Sequence, residues 1–105
     1  MEIKIDAIHN ELLCPHCGGA YMHHAQVDVY TRTEDAETTV HTCVGRSTTT
    51  VGTVPSKSTF NPSPRRGGLS VRFWCEICGK DSLLTIAQHK GNTLIDWELL
   101  HGSNT

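Results

Sequence analysis

The sequence predicts a small all-β fold, and three observations support this class. Apolar and polar side chains alternate along most stretches with the two-residue period of a half-buried strand. Polar and glycine-containing turn residues separate these stretches. Two matched cysteine pairs, Cys14/Cys17 and Cys75/Cys78, each follow a predicted strand. We therefore expect short antiparallel hairpins that are held together at the two cysteine pairs.

The first part of the chain predicts a lead-in strand and one hairpin. Residues 3–7 alternate apolar and polar side chains just before the first cysteine pair. Residues 20–32 alternate over a longer run, and the β-branched residues 38–44 are suited to the returning strand across a polar turn at 33–37. On strict alternation, one face of the longer strand would carry Tyr21, His23, Ala25, Val27 and Val29.

Residues 45–68 interrupt this pattern. Their prolines and glycines stand among serines and threonines without a convincing period, which is typical of a long mobile loop. Within the loop, residues 48–51 are compatible with a weak edge strand. We therefore predict a single domain over residues 1–105 with a flexible insertion at about 45–68.

The last part of the chain predicts one strand and a second hairpin. The strand covers residues 69–74 and leads directly into the second cysteine pair. Behind that pair, residues 82–89 and 93–100 flank Lys90-Gly91-Asn92, which is a favourable hairpin signal. The apolar face of this hairpin would be lined by Leu84, Ile86, Ile95, Trp97 and Leu99.

Length and composition indicate that the fold needs disulfide bonds or a bound metal ion for stability. The chain has 105 residues, of which 37% are hydrophobic, so its core leaves a narrow margin over conformational entropy. The opening residues alternate charged and apolar side chains rather than forming the apolar run of a signal peptide, and no stretch is long enough for a membrane span. We therefore expect a reducing, intracellular environment, where such cysteine pairs bind metal more often than they form disulfides.

The spacing within each cysteine pair predicts a metal ligand turn. Two residues separate the thiols and a glycine follows, so one tight turn can aim both sulfurs at a single ion. We therefore predict a zinc ribbon with one structural zinc ion, whose ligands are Cys14, Cys17, Cys75 and Cys78. Four thiolates leave no open coordination position on zinc, which predicts a protein that is not an enzyme.

Two alternatives stay open, and the first arises because the two pairs lie farther apart than the roughly 15–20 residues of compact sites. One alternative places a separate ion at each pair and completes it with histidine, His23 or His24 at the first pair and His89 at the second. The other is a rubredoxin-like iron site for electron transfer, since paired turns of this kind also describe rubredoxin.

Cys43 is the fifth cysteine, and its simplest interpretation is a small, half-buried strand residue. His41 would share its strand face, but the sequence shows no third group that could orient the histidine for nucleophilic catalysis. No catalytic residue is therefore predicted.

The charge distribution suggests one local surface for an anion. The net charge is −2, yet residues 46–72 contain basic side chains and no acidic one. Arg65 and Arg66 stand on a glycine-flanked loop, and Arg72 and Trp74 follow, so these four are candidates for contacts with nucleic acid or another partner. The chain lacks the overall basic excess of dedicated nucleic-acid binders.

Several longer motifs accompany the cysteines. They are CPHCGGAYMHH at 14–24, VDVYTRTED at 27–35, NPSPRR at 61–66, RFWCE at 72–76 and TIAQHKG at 85–91. Together they resemble a group of small zinc-ribbon proteins encoded by phages and prophages, over about Leu12 to Trp97. The resemblance implies a zinc protein of the bacterial cytoplasm with the four paired cysteines as ligands, and it implies no substrate.

For a protein of this kind we expect a macromolecular partner. A host or phage protein comes first, bound for regulation or for inhibition of a host defence, and nucleic acid is the alternative. No membrane and no small-molecule substrate is expected.

Overall fold

A computed structural model describes residues 1–100 and confirms the predicted all-β class. Within these residues no helix is long and apolar enough to cross a membrane. The described chain contains eight strands and one short 3₁₀ turn at Ser56–Ser58. The strands are β1 (Ile5–Asp6), β2 (Glu11–Leu12), β3 (Met22–Thr31), β4 (Thr38–Val44), β5 (Thr49–Pro55), β6 (Gly68–Cys75), β7 (Asp81–His89) and β8 (Asn92–Leu99).

Six of these strands form one antiparallel sheet in the described chain, in the order β5-β4-β3-β6-β7-β8. The two predicted hairpins are present as β3–β4 and β7–β8. Strand β6 joins them, because it pairs with β3 on one side and with β7 on the other. The hairpins are therefore parts of one continuous sheet, while β1 and β2 form a separate small ladder.

The turn between β7 and β8 consists of Lys90 and Gly91, with His89 paired to Asn92 across it. Both turn residues have positive φ angles, 50° and 83°. Two-residue turns of this kind match the right-handed twist of the strands they connect, and glycine adopts the second angle without strain. The predicted hairpin is confirmed, with Asn92 in the strand rather than in the turn.

A β-bulge at Ala25 divides β3. The register to β6 shifts between His24 and Gln26, so Ala25 is an extra residue without a partner. The extra residue reverses the alternation of side chains along the strand. The prediction that His23 shares a face with Val27 is therefore wrong, because it assumed strict two-residue alternation and made no allowance for an inserted residue.

The strand registers sort the sheet residues into two faces of different chemistry. We call one the charged face, since it carries Asp28, Arg72, Asp81, Asp96 and Glu98. The other has no Asp, Glu, Lys or Arg among the described strand residues, and we call it the uncharged face. The uncharged face comprises Met22, His24, Val27, Val29, Thr31, Thr38, Val40, Thr42, Val44, Thr49, Val51, Thr53, Pro55, Leu69, Val71, Phe73, Cys75, Ser82, Leu84, Ile86, Gln88, Thr93, Ile95, Trp97 and Leu99.

Buried apolar side chains lie at both ends of the sheet: Tyr30 and Ala87 near the start of β6, and Cys14, Cys75 and Trp97 at the cysteine end. Trp97 is only 5% exposed and meets the ring of Phe73 edge-on, with centroids 5.8 Å apart. The N-terminal residues Leu13 and Pro15 lie beside Trp97 on the uncharged face. This packing connects the first cysteine pair to the sheet.

The segment at 45–68 is more regular than the sequence predicted. The edge strand β5 covers Thr49–Pro55 and pairs with β4 over its whole length. The weak edge strand predicted at 48–51 is therefore present from Thr49 and continues to Pro55, and the irregular loop predicted for 52–55 is wrong, since threonine and valine favour a strand here despite Gly52. That the segment is flexible in solution stays a prediction.

The rest of this segment crosses the end of the sheet between β5 and β6. Hydrogen bonds from its side chains hold it against the sheet. Ser56 Oγ donates to the carbonyl of Ala36 at 2.7 Å, and Ser63 Oγ donates to the carbonyl of Gln88 at 2.8 Å. Gly68 then opens β6 directly beneath Asn61. The crossing therefore contacts both hairpins.

Substitution Gly68→Ala is expected to destabilise the chain by roughly 1–3 kcal/mol, because there is no room for a methyl group. Its Cβ would lie 2.7 Å from Asn61 Oδ1 and 3.0 Å from the carbonyl oxygen of Ile86, which belongs to the sheet. Gly52→Ala is the matched control, since a Cβ there meets nothing within 4 Å. Urea unfolding measures the free energy of unfolding of both variants. Equal losses of this free energy would show that the crossing segment does not pack closely against Gly68.

Candidate metal centre

Each cysteine pair forms a turn with the same backbone hydrogen bonds. The N–H of Gly18 donates to the carbonyl of Cys14 at 2.8 Å, and the N–H of Gly79 donates to that of Cys75 at 2.9 Å. Both glycines have a positive φ, 79° and 71°, which a residue with a side chain rarely adopts. The role predicted for the glycine in each pair is confirmed.

The sheet brings the two turns together although they are distant in sequence. The second turn follows β6 directly, and the first lies just before β3, which pairs with β6 from Met22 to Cys75 at this end. The N–H of Glu76 donates to the carbonyl of Tyr21 at 3.0 Å and locks the two segments side by side. The long separation is tolerated because closure entropy grows only slowly with loop length.

The four sulfurs form one cluster in which all Sγ atoms lie within 4.8 Å of one another. The Sγ atoms of Cys14 and Cys78 are 3.8 Å apart, and those of Cys17 and Cys75 are 3.7 Å apart. A tetrahedral ion with metal–sulfur bonds of about 2.3 Å requires sulfur–sulfur distances of about 3.8 Å. The geometry therefore fits one ion bound by the four predicted residues.

The alternative of two separate sites is not supported. Among the described residues no histidine joins the cysteine cluster. His23 Nε2 is hydrogen-bonded to the carboxylate of Glu76, and His24 is exposed on the uncharged face. His89 lies at the far end of β7, opposite Asn92.

The surroundings of the cluster shift the pKa values of Cys14 and Cys75 in opposite directions. Burial raises the pKa of Cys14 to about 12. Burial acts in the same direction on Cys75, but the backbone N–H groups of Cys78 and Ile77 outweigh it and lower the pKa of Cys75 to about 7. Four thiols this close together require a cation to ionise together, so metal binding releases protons.

Further polar contacts orient the first turn. The backbone N–H groups of His16 and Gly19 donate to the sulfurs of Cys14 and Cys17, each at 3.4 Å. The side chain of His16 also lies with Nε2 3.0 Å from the carbonyl oxygen of Asp81 at the start of β7. Contacts of this kind hold metal ligands in place, and no pattern of residues indicated the contact between His16 and β7.

Comparison with protein-family models, with curated proteins and with solved structures finds no match for this chain. The class that the fold and the cluster define is a small all-β protein with a possible metal-binding site of four cysteines. The resemblance to phage zinc-ribbon proteins stays a prediction.

The arginines predicted to contact nucleic acid are paired with carboxylates. Arg65 donates through Nε to Asp35 Oδ1 at 2.8 Å and through Nη2 to Glu34 Oε2 at 3.0 Å. Arg66 lies 2.9 Å from the other oxygen of Glu34. The hydrogen bond from Arg65 lowers the pKa of Asp35. In the sequence the acidic and basic residues lie about 30 positions apart, whereas the fold places them in contact.

The other two predicted contact residues lie on the charged face near the cysteine end. Arg72 Nη2 is 3.0 Å from Asp81 Oδ2. The ring of Trp74 stacks on that of His23 with centroids 4.4 Å apart. The structure therefore separates Arg72 and Trp74 from Arg65, which lies beyond the opposite end of β6, and the four residues do not form one surface.

Asp28 is a residue that the sequence did not single out. Its Oδ1 lies 2.8 Å from Nε2 of His41, and the ring of His41 stacks on that of Tyr30. Asp28 also pairs directly with Cys43 across β3 and β4, which only the strand register reveals. Burial raises the pKa of Cys43, and the neighbouring carboxylate of Asp28 raises it further. Cys43 is half-buried, as predicted, and protonated at neutral pH.

The substitution Asp28→Asn is expected to speed alkylation of Cys43 by iodoacetamide several-fold at pH 8. The variant removes the negative charge that disfavours the thiolate, which is the reactive form. Asp96→Asn on the same face serves as the control and should leave the rate unchanged. Mass spectrometry of the metal-loaded chain counts the modified thiols, and equal rates in the two variants would contradict the contact between Asp28 and Cys43.

A second group of possible ligands lies in the turn between β1 and β2. Ligand atoms of Asp6, His9 and Glu11 come within 4.8 Å of one another. The group is largely exposed, and the hydrogen bond from His9 lowers the pKa of Asp6. Mutual ion pairing between near neighbours explains this proximity.

Proposed function

We propose that this chain is a non-enzymatic binding module that is stabilised by one structural zinc ion. The observation that carries the proposal is the cluster of four sulfurs, whose close pairs are separated by 3.7 and 3.8 Å. Zinc suits this donor set because it accepts four thiolates in tetrahedral geometry and takes part in no redox chemistry. A rubredoxin-like iron centre is the alternative for the same donors.

The energetic reason for the zinc ion is the small core. Structural zinc contributes on the order of 10–16 kcal/mol in small domains, which is comparable with the net stability of a typical domain, about 5–15 kcal/mol. In this chain few apolar side chains are buried, and three of them, Cys14, Cys75 and Trp97, lie at the cysteine end of the sheet. The ion would tie the N-terminal segment to the sheet.

The partner is a macromolecule, and a protein is favoured over nucleic acid. Ion pairs with Glu34, Asp35 and Asp81 occupy the arginines that would contact phosphates. Nucleic-acid affinity depends on such cations, since neutralised phosphates release counterions. As the resemblance implies, we place the protein in the bacterial cytoplasm, acting on a host or phage protein as a regulator or inhibitor of a host defence.

An affinity capture from bacterial lysate tests the nature of the partner. The zinc-loaded chain is used as bait, with and without nuclease treatment, and the unfolded chain serves as the control for non-specific binding. We expect saturable capture of a protein that survives nuclease. Capture that is lost with nuclease would establish the nucleic-acid alternative instead.

The salt dependence of the binding affinity is a second test that distinguishes a protein partner from nucleic acid. Nucleic-acid binding predicts a steep loss of affinity with salt, and the double substitution Arg65→Ala and Arg66→Ala would make that slope shallower. We expect the double variant to leave the binding to the captured partner and its salt slope unchanged.

A further inference from the structure

The uncharged face is open over most of its area. Among the described residues of this face, only Cys75, Ser82 and Trp97 are buried, and all three lie at the cysteine end. Away from that end, Val51 is 66% exposed and Ile95 is 54% exposed. The N-terminal segment therefore covers one end of the face and leaves the remainder exposed to solvent.

The open area is at the upper end of what a monomer exposes. The sheet has six strands about 4.8 Å apart, and about five residues of each strand, with a rise of about 3.3 Å per residue, are uncovered. The flat area of this part of the sheet is on the order of 500 Å², and the side chains that project from it add further surface. The largest apolar patch of a typical monomer is roughly 300–600 Å², whereas stable interfaces bury about 600–1,000 Å² from each partner. A sheet with one apolar face is normally completed by a second layer.

The chemistry of the face suits a second copy of the same chain. Within the described strands it carries no Asp, Glu, Lys or Arg, so two copies that face each other bring no like charges together. Valine, leucine and isoleucine occupy adjacent positions on β3, β6 and β7 of this face, and threonines such as Thr31, Thr42 and Thr53 lie beside valines on β3, β4 and β5. The charged face is unsuited to self-association, because it would bring the carboxylates of Asp28, Asp96 and Glu98 from both copies into one interface.

We propose that this chain forms a two-fold symmetric homodimer in which the uncharged faces of two copies pack against each other as a β-sandwich. The two sheets would lie about 10 Å apart with strands crossing at about −30°, the usual arrangement of packed sheets. The same patch serves both copies, so the assembly closes at two chains. The proposal goes beyond the binding function, since it holds whatever the chain binds.

Two neighbouring residues of β8 give a matched test. Ile95 lies on the uncharged face and Leu94 on the charged face, and they are 54% and 51% exposed. A lysine at either position costs the monomer little. Ile95→Lys would place two ammonium groups inside the interface and raise the dimer dissociation constant by about 100-fold or more, whereas Leu94→Lys should leave it unchanged.

Analytical ultracentrifugation of the full zinc-loaded chain at 1–100 µM, roughly the range in which modest dimers dissociate, measures this constant. We expect a dimer for the unmodified chain and for Leu94→Lys, and a monomer for Ile95→Lys, with zinc content and circular dichroism confirming the fold. The pair Val51→Lys and Thr50→Lys on β5 repeats the comparison at the other edge of the sheet, should Ile95→Lys fail to fold. A monomeric unmodified chain would overturn the proposal, and so would a dimer that persists in both variants of the uncharged face, since such a dimer would form through the strand edges.

Discussion

Replacing Cys75 by serine is expected to abolish metal binding and to unfold the chain at neutral pH. Cys75 is fully buried at the junction of β6 with the second turn, and its sulfur lies 3.7 Å from that of Cys17. The variant leaves three thiolates for the ion, and a structural zinc ion supplies on the order of 10–16 kcal/mol of folding free energy. Losing even part of this exceeds the margin of a chain with so small a core.

Circular dichroism and metal analysis of the purified variant measure this outcome. Cys43→Ser is the matched control, because Cys43 is half-buried in β4 and lies outside the cysteine cluster. We expect this control to keep its metal and its strand signal. A folded Cys75→Ser variant would show that the cluster does not hold the fold together.

Trp97→Ala is expected to cost about 3–5 kcal/mol in a chain saturated with zinc. Trp97 is 5% exposed, packs edge-on against Phe73, and supports the N-terminal segment beside Leu13. Its removal leaves a cavity between the sheet and the segment that carries the first cysteine pair. Urea unfolding at constant zinc concentration measures the loss.

Two further variants separate packing from other effects of the indole. Trp74→Ala removes a ring of the same size that is 38% exposed and stacked on His23, and it should cost about 1 kcal/mol. Trp97→Phe should cost less than Trp97→Ala because a phenyl ring fills most of the cavity, and it loses no hydrogen bond because Nε1 of Trp97 has no partner among the described residues. Equal losses for Trp74→Ala and Trp97→Ala would contradict the packing role of Trp97 at the cysteine end of the sheet.

The features that local sequence determines were predictable. The period of two residues indicated the strands of both hairpins, and Lys90-Gly91 indicated the turn between β7 and β8. The spacing of each cysteine pair and the glycine after it indicated the turns that present the sulfurs. Each of these features is set by a few neighbouring residues.

The features that depend on distant contacts were not predictable. The bulge at Ala25 and the pairing of Asp28 with Cys43 become visible only once strand registers are known. The ion pair between Arg65 and Asp35 needs the crossing segment to pass over the end of the sheet. Sequence alternation therefore indicates that side chains lie on opposite faces of a strand, but not which strands continue each face.

The most direct test of the proposed centre is metal analysis combined with X-ray absorption spectroscopy of the purified chain. We expect one zinc ion per chain, no visible colour, and a first shell of four sulfurs at about 2.3 Å. A coloured iron centre would contradict the zinc assignment, and a mixed shell of sulfur and nitrogen would contradict the single cluster of Cys14, Cys17, Cys75 and Cys78.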